Sequence, residues 1–370
     1  MPALSDVARE KLHEFAGTAR KRELVTTVRE ENTYVMRNGK RLISFSCNDY
    51  LGLTQDPRVK EAAIKATEQY GAGAGASRLV TGNHPLYAEL ETKLARWKGA
   101  EAAAVFGSGY LANISIIPSF VGRGDLILVD RLVHACLLDG AQLSGAKVLR
   151  FKHNDVKDCE RLLAQHRGQY RHCLIVVDEV YSMDGDLAPM AELGEAASRH
   201  DAWLMADGAH ALGKPWYMPD IYVGTLSKAL ASYGGFVCAK KDIVDYIMNS
   251  ARSFMFSTGL PPAAIAASST ALDIIAEHPS LVYEPVDKAR IFTEALGMAP
   301  AHSQIVPLIL GEDARALAVS SALVQAGYLA VAIRPPTVPE RTARLRFAFS
   351  SQHQEGDILN LARFIRENLI

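Results

Sequence analysis

Five short stretches of this 370-residue chain set polar side chains directly behind an apolar run. Gly107-Ser108-Gly109-Tyr110 follows AAAVF, and His134 lies just past DLILVDR. Asp178 and Ser182 follow HCLIVV, Asp207 and His210 follow AWLMA, and Thr225, Ser227 and Lys228 follow DIYVG. Carboxylates, imidazoles, hydroxyls and an amine are the types that proton transfer and covalent catalysis draw on. A small-residue turn that opens a helix adds free N–H groups for a phosphate. Singly, each has an ordinary explanation: a tight turn, a helix cap, a satisfied histidine, a solvated lysine. Their coincidence behind successive apolar runs is what carries weight.

Those runs are AAAVF (102–106), DLILV (125–129), KVLRF (147–151), HCLIVV (172–177), AWLMA (202–206), DIYVG (220–224) and GFVCA (235–239). They alternate with helical patterns, which predicts a mostly parallel central sheet with helices on both faces. Ligands of such sheets sit at the carboxyl ends of the strands, where these polar residues fall. Ahead of the sheet, residues 6–23 read as a helix and ENTYVMRNGKRLISFS as an extended arm. Asp56-Pro57 caps a helix ending at Tyr70-Gly71, and a second runs from Pro85 to Trp97 and closes at Gly99. Past Pro261-Pro262, long helical stretches surround strands near 304–310, 328–333 and 343–349. The expected division is an arm over 1–50, a large domain over 51–280 and a smaller α+β domain over 281–370.

Composition narrows the field. The 40 basic and 41 acidic residues give a formal charge of −1 without runs of one sign, so no nucleic-acid or membrane-surface partner is indicated. Five cysteines without CxxC spacing suggest neither disulfides nor a metal site and fit a reducing cytoplasm. No apolar stretch is long enough to span a membrane, and the N-terminus carries no signal core. Gly71-Ala72-Gly73-Ala74-Gly75 looks like a dinucleotide-binding loop, but it follows a helix and lacks the later acidic residue. Its glycines are expected to permit close backbone approach, with Ala76-Ser77-Arg78 fixed beside them.

GTLSKALASYGG (224–235) resembles the cofactor-lysine segment of the α-oxoamine synthases, a family of fold-type I pyridoxal-phosphate enzymes. The resemblance extends through NDYLGL (48–53), GAGASRLVTGNHPLYAELE (73–91), FGSGYLAN (106–113), HNDV (153–156), YSMDGDLAP (181–189), DGAHALG (207–213), FSTGLPP (256–262) and RPPTVPERTARLR (334–346), in the family's order. RPPTVP and GNHPLYAELE are most similar to the 8-amino-7-oxononanoate synthases. The resemblance implies the fold-type I transferase fold, pyridoxal 5′-phosphate as cofactor, no metal and a homodimer. It also implies condensation of L-alanine with a pimeloyl thioester in biotin biosynthesis.

Carried over residue by residue, the resemblance makes Lys228 the amine that joins the cofactor aldehyde and later shuttles a proton. Asp207 partners the pyridine nitrogen, and His134 stacks on the ring. His210 and Ser182 lie near the phenolic oxygen, while Thr225, Gly109 and Tyr110 serve the phosphate. Arg346 pairs with the amino-acid carboxylate, and Arg20, Asn48 and Thr337 fall near the acyl substrate. The chain departs from the family in DGAH, where DDAH is more usual, and in DEVYSMDG. It departs again between His210 and Lys228, where a longer glycine-rich loop is expected. Asp207 and Lys228 are only 21 positions apart, about a dozen fewer than the resemblance predicts. Alternatives are a synthase using glycine or serine with another acyl thioester, an aminotransferase of the same fold, or an inactive scaffold.

Overall fold

A computed structural model describes residues 2–17 and 20–369. The chain divides into two compact units. The smaller comprises Met1–Asn48, Met183–Gly185 and Pro285–Ile370, and the larger Asp49–Ser182 and Asp186–Glu284.

The small unit begins with helix α1 (Leu4–Gly17) and strands β1 (Thr27–Arg29), β2 (Tyr34–Arg37) and β3 (Lys40–Ser44). The helix expected over 6–23 is shorter: residues 18 and 19 lie outside the described residues, and 20–26 are not helical. α1 buries none of its residues. Lacking a packed face, it has only local propensity to prolong it.

In the large unit the chain runs through α2 (Pro57–Tyr70), α3 (Leu86–Lys98), β4 (Ala102–Phe106), α4 (Gly109–Phe120), β5 (Leu126–Asp130) and α5 (Ala135–Ser144). Five strands follow: β6 (Lys147–Phe151), β7 (Cys173–Asp178), β8 (Trp203–Asp207), β9 (Ile221–Thr225) and β10 (Gly235–Ala239). Asp56 caps α2 by accepting from the Arg58 N–H, with Pro57 in the first turn. Gly99 ends α3 at φ 75°, a left-handed conformation natural to glycine.

The seven strands are ordered β4-β10-β9-β8-β7-β5-β6. Only β10 is antiparallel to its neighbours, β4 and β9; the remaining pairs are parallel. β5 and β7 are buried at every position. That explains their unbroken apolar sequence, since a sheet covered on both faces has no solvent side to alternate with. Because β4, β5, β7, β8 and β9 share one direction, their carboxyl ends share one edge, and the polar residues behind them collect there.

The small unit closes with β11 (Ile305–Gly311), β12 (Tyr328–Leu329), β13 (Ala332–Ile333) and β14 (Ala343–Ala348). The strand expected over 328–333 is two short strands in different sheets: β12 pairs with β3 and β13 with β14. Between them, the Ala330 carbonyl accepts from Ser320 Oγ and the Val331 N–H donates to Ser46 Oγ. Side chains thus take the backbone groups that a continuous ladder would use.

The glycine loop also differs from expectation. A Cβ at Gly71, Gly73 or Gly75 would meet no atom of the chain within 4 Å, so close approach is not what requires them here. Gly71 and Gly75 supply positive φ (86° and 71°) instead. The tight contact lies at Gly82, whose Cβ would fall 2.1 Å from the Ala76 carbonyl oxygen. Among the described residues, no cluster of His, Cys, Asp and Glu is suited to a metal ion, and no helix is long and apolar enough to cross a membrane.

Candidate cofactor and active site

The turn after β4 builds an anion cradle. Ser108 Oγ accepts from the Leu111 N–H at 3.1 Å and caps α4. The Gly109 and Tyr110 amides, at the first helical positions, have no acceptor within the helix. β10 starts against this turn, and a Cβ on Gly235 would lie 2.4 Å from Gly109 N. Only glycine lets the strand pass that close. Thr225, at the end of β9, donates its hydroxyl to the Gly234 carbonyl at 2.9 Å, so its 2.7 Å contact with Ser227 Oγ uses the serine proton.

The ends of β7 and β8 present a pair of carboxylates, with Asp178 opposite Asp207 in the ladder. Both are buried. Asn113 Nδ2 donates to Asp207 Oδ2 at 2.6 Å, and the Ala209 N–H donates to Oδ1 at 2.8 Å. Asp178 accepts from the His134 N–H at 3.2 Å. Burial, reinforced by the adjacent Asp207 charge, pushes the Asp178 carboxyl well above the usual carboxylate range. His134 caps α5, its Nδ1 accepting from the Cys136 N–H. His210 is buried, with Nδ1 2.7 Å from the Tyr50 hydroxyl.

Gly109, Tyr110, His134, Ser182, Asp207, His210, Thr225 and Lys228 all line one cavity of about 230 Å³. It contains a helix-start anion cradle, a buried carboxylate held by two N–H donors, hydroxyls and an amine. This donor set suits a phosphorylated ring that carries a basic nitrogen and an aldehyde.

The other four candidates lie in the small unit, where they form two separate groups. Arg346, on β14, directs Nη1 to Asn48 Oδ1 at 3.2 Å. Arg20 and Thr337 border a second cavity of about 670 Å³. There Arg20 pairs with Asp313 at 3.1 Å and Glu340 at 2.6 Å, and Arg22 donates to Thr337 Oγ1 at 3.1 Å. An anionic substrate at Arg20 would compete with two carboxylates. Arg344, two residues before Arg346, is occupied by Asp184 at 2.6 Å and the Met183 carbonyl.

The family model described as aminotransferase class I and II matches residues 40–365. The chain belongs to the aminotransferase class I and II family. Within it, the chain is an α-oxoamine synthase of fold type I. It is 50% identical to the 8-amino-7-oxononanoate synthase of Beijerinckia indica subsp. indica, over 98% of this chain and 97% of that one. It is 51% identical to the enzyme of the same name from Methylobacterium nodulans, over 99% and 97%. Among solved structures it superposes on serine palmitoyltransferase from S. paucimobilis, with bound PLP–myriocin aldimine, at TM-score 0.91 and 27% identity, over 99% of this chain and 98% of that one.

The relatives differ in length: the Methylobacterium alignment runs over 368 positions for 99% of the chain, whereas the Beijerinckia alignment runs over 374 positions for 98% of it. Two positions that shape the cavity escaped the sequence argument. Asn113 sits four residues after Gly109, on the same face of α4, and its place in FGSGYLAN was the available signal. Tyr50 lies in NDYLGL, 160 residues from its partner His210, and no local pattern points to that contact.

Proposed function

We propose that this α-oxoamine synthase condenses L-alanine with a pimeloyl thioester, releasing 8-amino-7-oxononanoate, carbon dioxide and a free thiol. The observation that carries the chemistry is that Lys228 and Asp207 border one cavity together with the anion cradle. The substrates are supported by half-identical relatives of that name that match nearly the whole chain.

The cofactor is pyridoxal 5′-phosphate, which supplies an aldehyde for the amino acid's nitrogen and a ring that accepts electrons from its α-carbon. Lys228 would hold it covalently. Gly109, Tyr110 and Thr225 would hold its phosphate, Ser182 and His210 its phenolic oxygen, and His134 one face of its ring. Asp207, fixed by Asn113 and the Ala209 amide, would keep the ring nitrogen protonated. As a free amine, Lys228 would take the proton from the substrate α-carbon and later return one. Arg346 would grip the amino-acid carboxylate through paired N–H donors. Arg20, Asn48 and Thr337 would lie toward the acyl chain.

The serine palmitoyltransferase likeness favours one alternative, serine with a different acyl thioester. Thiol release from pimeloyl-CoA by the purified protein, with alanine, glycine and serine side by side, tests both. Alanine is expected to be fastest. A faster rate with glycine or serine removes the proposed substrate pair.

A further inference from the structure

Near Asp207, but not among the residues that line the cavity, are three buried groups that the chemistry above does not use. Lys98, the last residue of α3, is 1% exposed. Its Nζ lies 3.7 Å from the Trp97 ring centroid and 4.9 Å from that of Tyr222, and it donates to the Gly213 carbonyl at 2.5 Å. Tyr222 is fully buried on β9, and its hydroxyl donates to Glu179 Oε2 at 2.9 Å. Glu179 in turn donates its backbone N–H to the Asp207 carbonyl at 2.9 Å.

We propose that Lys98, Tyr222 and Glu179 form a positioning assembly for Asp207, in which a cation lies against one aromatic ring and a carboxylate accepts from that ring's hydroxyl. This rests on the proposal that the cavity takes pyridoxal phosphate.

Two constraints meet at Asp207, and a third acts on the chain beyond His210. Its carbonyl is held by Glu179. The next residue must be glycine, because a Cβ at 208 would lie 1.8 Å from the Tyr222 hydroxyl oxygen. The segment after His210 is tied to α3 where Lys98 takes the Gly213 carbonyl. The assembly thus restrains the strand end that presents Asp207 and the chain that leaves His210.

At 208, where the family more usually has a second aspartate, the Tyr222 hydroxyl fills the space a side chain would need. Burial draws Lys98 down to about 8 and raises Glu179. Burying two such groups costs stability that apolar residues would not cost. A stabilising role therefore does not account for them, and a role in fixing geometry does.

The test is the affinity of the cofactor-free, full-length chain for pyridoxal phosphate, by equilibrium dialysis. It is paired with the pH midpoint of the bound cofactor's visible absorption and with the unfolding temperature. Glu179→Gln, Lys98→Met and the double variant are compared with wild type. Each single change is expected to weaken binding roughly tenfold and shift the pH midpoint. The double variant is expected to lose no more than the worse single one, because no lone buried charge remains. Tyr222→Phe keeps the ring, removes the bond to Glu179 and carries the test if the others fold poorly. Affinities within about twofold of wild type and an unmoved midpoint, whatever the unfolding temperature does, overturn the assembly alone. A wild-type chain that binds no pyridoxal phosphate overturns the cofactor reading as well.

Discussion

Asn113 donates to Asp207 across 2.6 Å, tying α4 to the end of β8. Gly109, one turn earlier on the same helix, opens the anion cradle. One rigid element therefore sets the spacing between the group proposed to hold the phosphate and the carboxylate proposed to face the ring nitrogen. Asn113→Ala removes a hydrogen bond to a buried charged acceptor, an interaction worth about 1.5–3 kcal/mol. Pyridoxal phosphate binding should weaken by roughly 10- to 100-fold. Equilibrium dialysis measures this, and an unchanged affinity would show that Asp207 is held without its neighbour.

Tyr50→Phe removes the 2.7 Å contact between the Tyr50 hydroxyl and His210 Nδ1 in a buried setting. The expected outcome is a loss of about 1 kcal/mol in urea unfolding, together with a lower kcat, as the imidazole loses one of the contacts that orient it. If kcat and stability both match wild type, the contact does not orient His210.

The edge of the sheet was legible in the sequence because apolar runs and the polar residues behind them are local signals. AAAVF, HCLIVV and AWLMA announce β4, β7 and β8, and Gly109, Asp178 and Asp207 follow within three residues. What the sequence hid depends on distant partners. The break at Ala330-Val331 follows from Ser320 and Ser46 taking backbone groups, and nothing within 328–333 marks it. The exclusion at Gly208 comes from Tyr222, fourteen residues later, and Gly71 and Gly75 belong to a pattern whose use is conformational. Arg20 was legible as a cation, but its pairing with Asp313 and Glu340 was not.

His153 lies between two carboxylates, Nδ1 3.0 Å from Asp130 and Nε2 2.6 Å from Asp186, with its ring edge-on to Tyr181. Burial opposes its charge, but the two carboxylates outweigh burial and raise it to about 9. A group raised on folding contributes fully below its unfolded value of about 6.5, and the contribution fades as pH climbs through the folded value. In urea unfolding, wild type should exceed His153→Gln most below about pH 6.5 and lose that advantage above about pH 9. An advantage that grows with pH would show the wrong sign for this ion pair.

Arg346→Lys keeps the charge and loses the planar pair of donors. If Arg346 grips the amino-acid carboxylate, KM for alanine should rise roughly tenfold or more, while pyridoxal phosphate affinity stays at the wild-type value. Steady-state kinetics with alanine varied separates the two. An unchanged KM would show that Arg346 does not grip that carboxylate.

The most direct measurement of the central claim is borohydride reduction of the pyridoxal-phosphate-loaded protein, followed by peptide mass mapping. The account predicts a pyridoxyl phosphate adduct on Lys228, in the peptide that spans GTLSK, and no such adduct in Lys228→Ala. An adduct fixed on another lysine, or none in the wild-type chain, would contradict it.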